Sequence, residues 1–120
     1  MKGEIKSYRD LIIWQKSMSL VGEIYKSTKS FPSDEIYGLS SQLRRCAVSI
    51  PSNIAEGYGR NSTQDYIRFL NISTGAVYEL QTQLEISFNL GYINGETFYK
   101  LYESTKGIGK DHQCPYKKTY

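Results

Sequence analysis

The sequence predicts an all-α protein, an antiparallel up-down four-helix bundle formed by one domain. Apolar residues recur every three or four positions along three long stretches, which is the spacing of one helix face. Strand-like alternation is absent, and proline or glycine interrupts the periodic stretches where turns are needed. A chain of 120 residues has the length of a single domain. Long helices joined by short turns favour the antiparallel bundle.

The first helix is predicted over roughly residues 8–29. Phe31-Pro32 ends it, because the residue before a proline is pushed out of the helical region. Its apolar stripe consists of Leu11, Trp14, Met18, Val21 and Tyr25, widened by Leu20 and Ile24. This stripe is therefore expected to face the core.

The second helix begins near Ser33-Asp34-Glu35, where a capping side chain and two acids suit the positive end of a helix dipole. Its stripe consists of Leu39, Leu43, Ala47, Ile50 and Ile54. Pro51 lies inside this pattern and cannot donate to the carbonyl of Ala47, which predicts a kink in a continuing helix. Residues 57–61 predict a turn with glycines at positive φ.

The third helix is capped by Ser62 or Thr63 and ends at Gly91. Its stripe consists of Phe69, Ile72, Ala76, Leu80, Leu84 and Phe88. Asn94-Gly95 opens a fourth helix that is predicted to be short. The bundle then occupies residues 1–106, and Gly107, Gly109 and Pro115 predict an irregular basic tail over residues 107–120.

The composition is compatible with an assembly that has a mildly basic surface. The net charge of +3 permits an acidic partner without demanding one. The 11 tyrosines suit half-buried positions and interfaces, since each has an apolar ring and a polar tip. Neither a signal peptide nor an apolar run of about 18 residues is visible. We therefore expect a cytoplasmic protein with no membrane partner.

The sequence offers no catalytic or metal-binding residue set. His112 is the single histidine, and it lies in the predicted tail, so triad or dyad chemistry has no base in a predicted pocket. His112 and Cys114 have no third ligand nearby, and the Glu-x-x-His pairs of di-iron bundles are missing. Cys46 and Cys114 are expected to be reduced thiols. No enzyme activity, metal or cofactor is predicted.

The most informative segment is residues 42–60, which combines small residues with a proline and with polar side chains inside a core helix. Pro51, Asn53, Glu56 and Gly57 form its structural motif. One interpretation is that Asn53 bonds to the backbone and Glu56 to an arginine, since buried polar groups need partners. The other is that Arg44, Arg45 and Arg60 form a surface for phosphates. Single-stranded nucleic acid could also stack on Tyr58 or Tyr66.

This segment resembles the family of small four-helix-bundle proteins encoded by intervening sequences in 23S ribosomal RNA genes. The resemblance covers roughly residues 8–102 and is most specific over residues 44–57, which read Arg-Arg-Cys-Ala-Val-Ser-Ile-Pro-Ser-Asn-Ile-Ala-Glu-Gly. It also includes the run from Tyr8 to Leu11, Trp14-Gln15-Lys16 and Leu90-Gly91-Tyr92. Cys46 replaces the alanine that is usual in the family, and the predicted short fourth helix departs from the family's longer one.

The resemblance implies a homopentameric ring that binds RNA or DNA. Related accessory variability proteins of diversity-generating retroelements form basic pentameric barrels that bind nucleic acid and a reverse transcriptase. Carried over to this chain, the expected phosphate contacts are Arg44, Arg45, Arg60, Arg68 and Lys16, with Lys26 and Lys29 as weaker candidates. The alternative function is a protein-binding adaptor or scaffold, for example a partner of a reverse transcriptase, that does not touch nucleic acid.

Overall fold

The chain folds into four helices joined by short connections. The computed structural model describes the backbone of residues 4–117 and the side chains of residues 4–108. Helix α1 spans Ile12–Thr28, α2 Leu39–Tyr58, α3 Thr63–Asn89 and α4 Gly95–Lys117, and the described part contains no strand. Each helix packs against its two neighbours, with α4 closing on α1. The molecule measures 44 × 26 × 25 Å, and the predicted all-α four-helix fold is confirmed.

The core runs along the middle of the bundle and is built mainly from leucine and isoleucine. The side chains that are at most 1% exposed include Leu20, Ile24, Leu43, Ala47, Ile50, Ile54, Val77, Leu80, Leu84, Leu101 and Ile108. The predicted stripe of α2 is confirmed, apart from Leu39, which is half-buried. Burying one such large side chain contributes about 1.5–3 kcal/mol, so α2 is held by several contacts of this size.

The prediction for the face of α1 is wrong by part of a turn. The helix buries Ser17, Leu20, Ile24 and Thr28, whereas Met18 of the predicted stripe is 46% exposed. Ser17 and Thr28 can occupy the buried face because their hydroxyls donate hydrogen bonds to backbone carbonyls of the same helix. Ser17 donates to the carbonyl of Trp14 at 2.9 Å and Thr28 to that of Ile24 at 2.8 Å.

Helix α3 shows the same substitution of polar for apolar residues. Ile72 and Phe88, both in the predicted stripe, are exposed. Ser73 and Ser87 are buried instead. The hydroxyl of Ser73 donates across to the carbonyl of Ile50 in α2 at 3.1 Å, and that of Ser87 to the carbonyl of Gln83 at 2.8 Å. Small hydrogen-bonded residues thus let α3 approach its neighbours closely.

Helix α4 is longer than the sequence predicts, since its backbone stays helical as far as Lys117. Glycine in a helix interior costs about 1 kcal/mol relative to alanine, which is why Gly107 predicted an end. Between the two glycines, however, Ile108 is completely buried, and its burial offsets that cost. The side chains of residues 109–117, including His112 and Cys114, and all of residues 118–120 lie outside the described part.

Helices α3 and α4 begin at their predicted caps. The prediction that α2 begins near Ser33 is wrong, because Ser33–Glu35 forms a separate 3-10 turn and α2 begins at Leu39. The turn predicted at residues 57–61 starts later, at Gly59. The Ser62 hydroxyl caps α3 by accepting from the N–H of Asp65 at 3.1 Å, and Asn94 caps α4 in the same way through Thr97 at 2.8 Å. Helix α2 continues through Pro51, and Gly57 lies within it. Gly91 is the only described residue with positive φ, so positive φ is not why glycines occur at 57 and 59.

Candidate nucleic-acid interface

A groove of about 630 Å³ lies where the C-terminus of α1 meets the N-terminus of α2. We call it the basic groove. Its walls come from the end of α1, the connecting segment and the first turns of α2. The lining residues are Tyr25, Thr28, Lys29, Phe31, Pro32, Ser33, Ile36, Tyr37, Ser40, Ser41, Arg44 and Arg45. Among these described residues three carry a positive charge and none carries a carboxylate.

Arg44 is part of the groove wall and is fixed by the end of α1. Its Nε donates to the Thr28 hydroxyl at 2.8 Å, and its Nη2 donates to the carbonyl of Tyr25 at 3.4 Å. The guanidinium carbon lies 4.7 Å from the centre of the Tyr25 ring. Cations at a helix C-terminus are favourable because carbonyl groups are unpaired there. Arg44 therefore has a structural role in addition to its charge.

Arg45 and Lys29 are the charges of the groove that have no partner in the described part of the chain. Both side chains are exposed, and over residues 4–108 neither makes an ion pair. Several cations elsewhere are matched by acids on the surface, as in the pairs Lys100–Glu23 at 3.9 Å and Lys106–Glu103 at 3.4 Å. The groove therefore concentrates positive side chains that make no ion pair with a described carboxylate.

Three serine hydroxyls add hydrogen-bonding capacity to the basic groove. Ser33, Ser40 and Ser41 line it, and none of these hydroxyls has a hydrogen-bond partner within the described part. Ser40 is only 5% exposed. In a helix interior, serine usually bonds to a carbonyl one turn earlier, but Ser40 and Ser41 lie in the first turn of α2, where no helical turn precedes them.

Arg60 and Arg68 lie at the opposite end of the bundle. Arg44 and the end of α2 at Tyr58 are separated by about 20 Å at 1.5 Å per residue. Arg60 pairs with Glu56 at 2.8 Å and Arg68 with Asp65 at 3.7 Å. Their guanidinium carbons lie 4.9 and 4.7 Å from the centre of the Phe69 ring. These arginines are paired with acids and packed on an aromatic ring, and they do not extend the basic groove.

Lys16, the remaining candidate, lies in a third place. It lines a depression of about 310 Å³ between α1 and α4, together with Glu23 and Glu103. The two carboxylates oppose the attraction of this surface for phosphate. The five predicted contact residues therefore do not form one site. Arg44 and Arg45 lie together at the basic groove, Arg60 and Arg68 lie together over Phe69, and Lys16 is separate from both pairs.

The motif of residues 51–57 has the structural arrangement that the first interpretation predicts. The Asn53 side-chain amide donates to the carbonyl of Ser49 at 2.8 Å, and Glu56 accepts from Arg60 at 2.8 Å. Both polar side chains thus have partners. Gly57 is buried against α3, where a Cβ atom would lie 2.6 Å from the Cβ of Phe69. Pro51 is also buried, so Pro51 and Gly57 are the members of the motif that pack against the rest of the bundle.

The aromatic residues at the basic groove differ from those that the sequence singles out. Tyr58 and Tyr66 are half-buried and pack edge to face, with ring centres 6.2 Å apart. Burial raises the pKa of the Tyr66 phenol. Tyr37, by contrast, is 97% exposed at the rim of the groove. Its neighbour Ile36 is also exposed. Sequence reasoning missed Tyr37, although its place just before Gly38, between two helices, indicates a surface turn.

An apolar stripe crosses the outer face of α1 and α2. We define it as Trp14, Met18, Val21, Val48 and Ala55, which line a shallow depression of about 370 Å³ with Tyr8, Pro51 and Ser52. Gly22 borders it, and nothing lies within 4 Å of the position a Cβ would take. Three residues of this stripe belong to the face that the sequence assigned to the core. Met18 and Val48 are exposed, whereas Trp14 and Val21 are half-buried against the core.

Cys46 is a buried thiol without the environment of a reactive one. Its Sγ donates to the carbonyl of Ala76 at 3.1 Å. Burial, followed by the nearby carboxylate of Glu79, raises the pKa of this thiol to about 12. Over the described residues, no group of three or more His, Cys, Asp or Glu side chains could hold a metal ion. No helix described here is long and apolar enough to cross a bilayer.

Comparison with known proteins places the chain in a family. No curated protein matches it significantly. A crystal structure of a protein with unknown function from the S23 ribosomal protein family of Bacteroides thetaiotaomicron is similar, with a TM-score of 0.78 and 25% identity. The similarity covers 86% of this chain and 96% of that one. The model of the 23S rRNA-intervening sequence protein family matches residues 9–112. The chain therefore belongs to the 23S rRNA-intervening sequence protein family.

Proposed function

We propose that this protein acts by binding nucleic acid, RNA or DNA, through the basic groove, without catalysing a reaction. The observation that carries this proposal is the concentration of Lys29, Arg44 and Arg45 around one concavity with no described carboxylate among its walls. Phosphate is the natural ligand of such a surface, because arginine and lysine neutralise it and serine hydroxyls donate to its oxygens.

The binding should be mainly electrostatic and therefore sensitive to salt. Neutralising phosphates releases counterions, so the logarithm of the binding constant falls linearly with the logarithm of the salt concentration. For three contacts the slope is about −2 on single strands and about −2.7 on a duplex. Fluorescence anisotropy with labelled ribosomal RNA and with DNA of random sequence, over a salt series, measures this slope.

The variants that test the site are Arg45→Glu and Lys29→Glu. Both residues are exposed and unpaired in the described chain, so reversing their charges should leave the fold intact. Each variant should weaken binding about tenfold or more and make the salt slope shallower. Arg44 is a poor choice, because removing it also breaks its hydrogen bond to Thr28.

The matched control is Arg68→Glu, which makes the same change in net charge at the other end of the bundle. If binding depends only on net charge, Arg45→Glu and Arg68→Glu will weaken it equally. That result would refute the basic groove as the binding site. Absence of salt-dependent binding to either nucleic acid would refute the proposed function.

A second candidate function is supported by the apolar stripe, which suits a protein partner. A patch of exposed apolar side chains around an aromatic residue is typical of interaction sites. We propose that a second copy of this chain covers the stripe in a homo-oligomer, and the family resemblance suggests a pentamer. If the protein is monomeric, the stripe remains available to a different protein, which is the arrangement of an adaptor.

A further inference from the structure

Tyr37 gives the basic groove a feature that phosphate binding alone does not require. The ring is 97% exposed, and the adjacent Ile36 is 56% exposed. Both residues lie in the short turn that precedes α2 and line the groove that Arg45 also lines. By comparison Tyr99, on the surface of α4, is 66% exposed. The rim of the groove thus presents an aromatic face to the same space that the positive charges surround.

An exposed aromatic ring beside positive charges can stack on an unpaired base, but it cannot stack on bases that are covered inside a duplex. In a duplex each base face is covered by its stacked neighbours, and only the edges are accessible in the grooves. Taking a base out of the stack requires unstacking and unpairing. An unpaired base already exposes its face, and stacking on aromatic side chains is the usual way of holding it.

The dimensions and the polar groups agree with one or a few nucleotides. A volume of about 630 Å³ falls within the range of small-ligand sites, about 300–1,000 Å³. Lys29 and Arg45 can contact phosphates, while the Ser40 and Ser41 hydroxyls can bond to phosphate or sugar oxygens. Arg44 stacks on the inner tyrosine, Tyr25, with 4.7 Å between the guanidinium carbon and the ring centre, so Tyr37 is the aromatic residue left for a base.

We infer that the basic groove selects single-stranded nucleic acid, with a base stacked on Tyr37 and the flanking phosphates on Lys29 and Arg45. This inference rests on the proposed function and narrows its substrate class. Selectivity comes from the base face, which a duplex conceals, and the phosphate contacts are common to both forms. A hairpin loop or a frayed end would be bound, whereas a blunt duplex would be bound weakly.

The test compares one labelled oligonucleotide as single-stranded RNA, as single-stranded DNA and as a blunt duplex, by fluorescence anisotropy. The native protein should bind the single strands at least about fivefold more tightly, the equivalent of one stacked base. Tyr37→Ala should remove that preference, and Tyr37→Phe should retain it, because stacking does not need the hydroxyl. Tyr99→Ala is the matched control and should bind like the native protein.

The salt dependence separates stacking from phosphate contact. Tyr37→Ala should keep the native salt slope, whereas Lys29→Gln should reduce its magnitude by about 0.7 on a single strand. If the duplex binds as tightly as the single strands and Tyr37→Ala behaves like Tyr99→Ala, the inference is overturned while the proposed function stands. If no nucleic acid binds, both are refuted. A greater preference for RNA than for DNA would indicate that the serines contact the ribose 2′-hydroxyl.

Discussion

At Gly57, α2 and α3 approach so closely that no side chain fits between them. A Cβ at this position would lie 2.6 Å from the Cβ of Phe69 and 3.2 Å from the ring of Tyr66. Phe69 is in turn covered by the guanidinium groups of Arg60 and Arg68. A Cβ at residue 57 would therefore clash with Phe69 unless the backbones of α2 and α3 moved apart.

We predict opposite effects for alanine at two helical glycines. Gly57→Ala should lower the free energy of unfolding by about 1–3 kcal/mol, because it overpacks a filled interface. Gly75→Ala, on the exposed face of α3 with nothing within 4 Å of the added Cβ, should raise it by about 0.5–1 kcal/mol. Urea unfolding followed by circular dichroism measures both. Equal effects of the two substitutions would show that close approach at Gly57 is not the reason for glycine there.

At the scale of single residues, sequence reasoning identified the important side chains more reliably than it identified their hydrogen-bond partners. The pairing of Glu56 with an arginine and of Asn53 with the backbone could be predicted, because both partners lie within four residues. The contact between Arg44 and Thr28 joins residues that are sixteen positions apart. It depends on how α1 and α2 dock, which a local pattern does not specify.

Two connections of the bundle are joined by one hydrogen-bonded pair. The phenol of Tyr92, in the turn between α3 and α4, donates to Glu35 Oε2 at 2.9 Å. Glu35 Oε1 accepts from the N–H of Leu39 at 2.9 Å and so caps α2. The bond from Leu39, followed by that from Tyr92, lowers the pKa of the Glu35 carboxyl below its ordinary value of 4.5.

This shift predicts how stability changes in acid. Because the folded-state pKa of Glu35 is lowered, its contribution is present above pH 4.5 and is lost as the pH falls through the lower folded-state value. Glu35→Gln should therefore be less stable than the native protein at neutral pH, and the difference should shrink in acid. Urea unfolding at several pH values measures it, with the exposed Glu85→Gln as control. A difference that is constant with pH would contradict the assigned cause.

The helices differ in how well their hydrophobic patterns predicted the buried face and the length. Helix α2 has mainly apolar residues on its buried face, with Ser40 in its first turn as an exception, so spacing alone identified that face. In α1 and α3, serine and threonine occupy buried positions because the backbone satisfies their hydroxyls, and a hydrophobic pattern cannot register them. The length of α4 was missed for a related reason: tertiary burial of Ile108 outweighs the low helix propensity of its two glycine neighbours.

The whole molecule has two kinds of exposed surface that a closed bundle does not need. The basic groove lies at one end, and the apolar stripe runs along α1 and α2. The apolar stripe contains side chains that the periodicity had assigned to the core. The basic groove contains Tyr37, to which the sequence had assigned no role. The hydrophobic periodicity and the short turns predict the number of helices and their antiparallel order. They do not predict which face is buried when two adjacent faces of a helix are both apolar. Only packing shows which of them is inside.

The apolar stripe leads to a prediction about the mass of the protein in solution. If a second copy covers it, the native protein should be an oligomer in light scattering, and Met18→Glu combined with Val48→Glu should dissociate it into folded monomers. Burying a carboxylate in an apolar interface is strongly unfavourable. Ile86→Glu, on the exposed side of α3, is the control and should not change the mass. A native protein that is already monomeric would contradict self-assembly through the stripe.

The basic groove is encoded by a short part of the chain, since every lining residue lies between Tyr25 and Arg45. Contacts between residues close in sequence form early, because little chain must be ordered to make them. During synthesis the N-terminal part of a chain also becomes available first. The groove needs α1 and the first half of α2, whereas α4 closes on α1 only after the rest has emerged. We therefore expect the end of the bundle that carries the basic groove to take shape on the nascent chain before the bundle is complete.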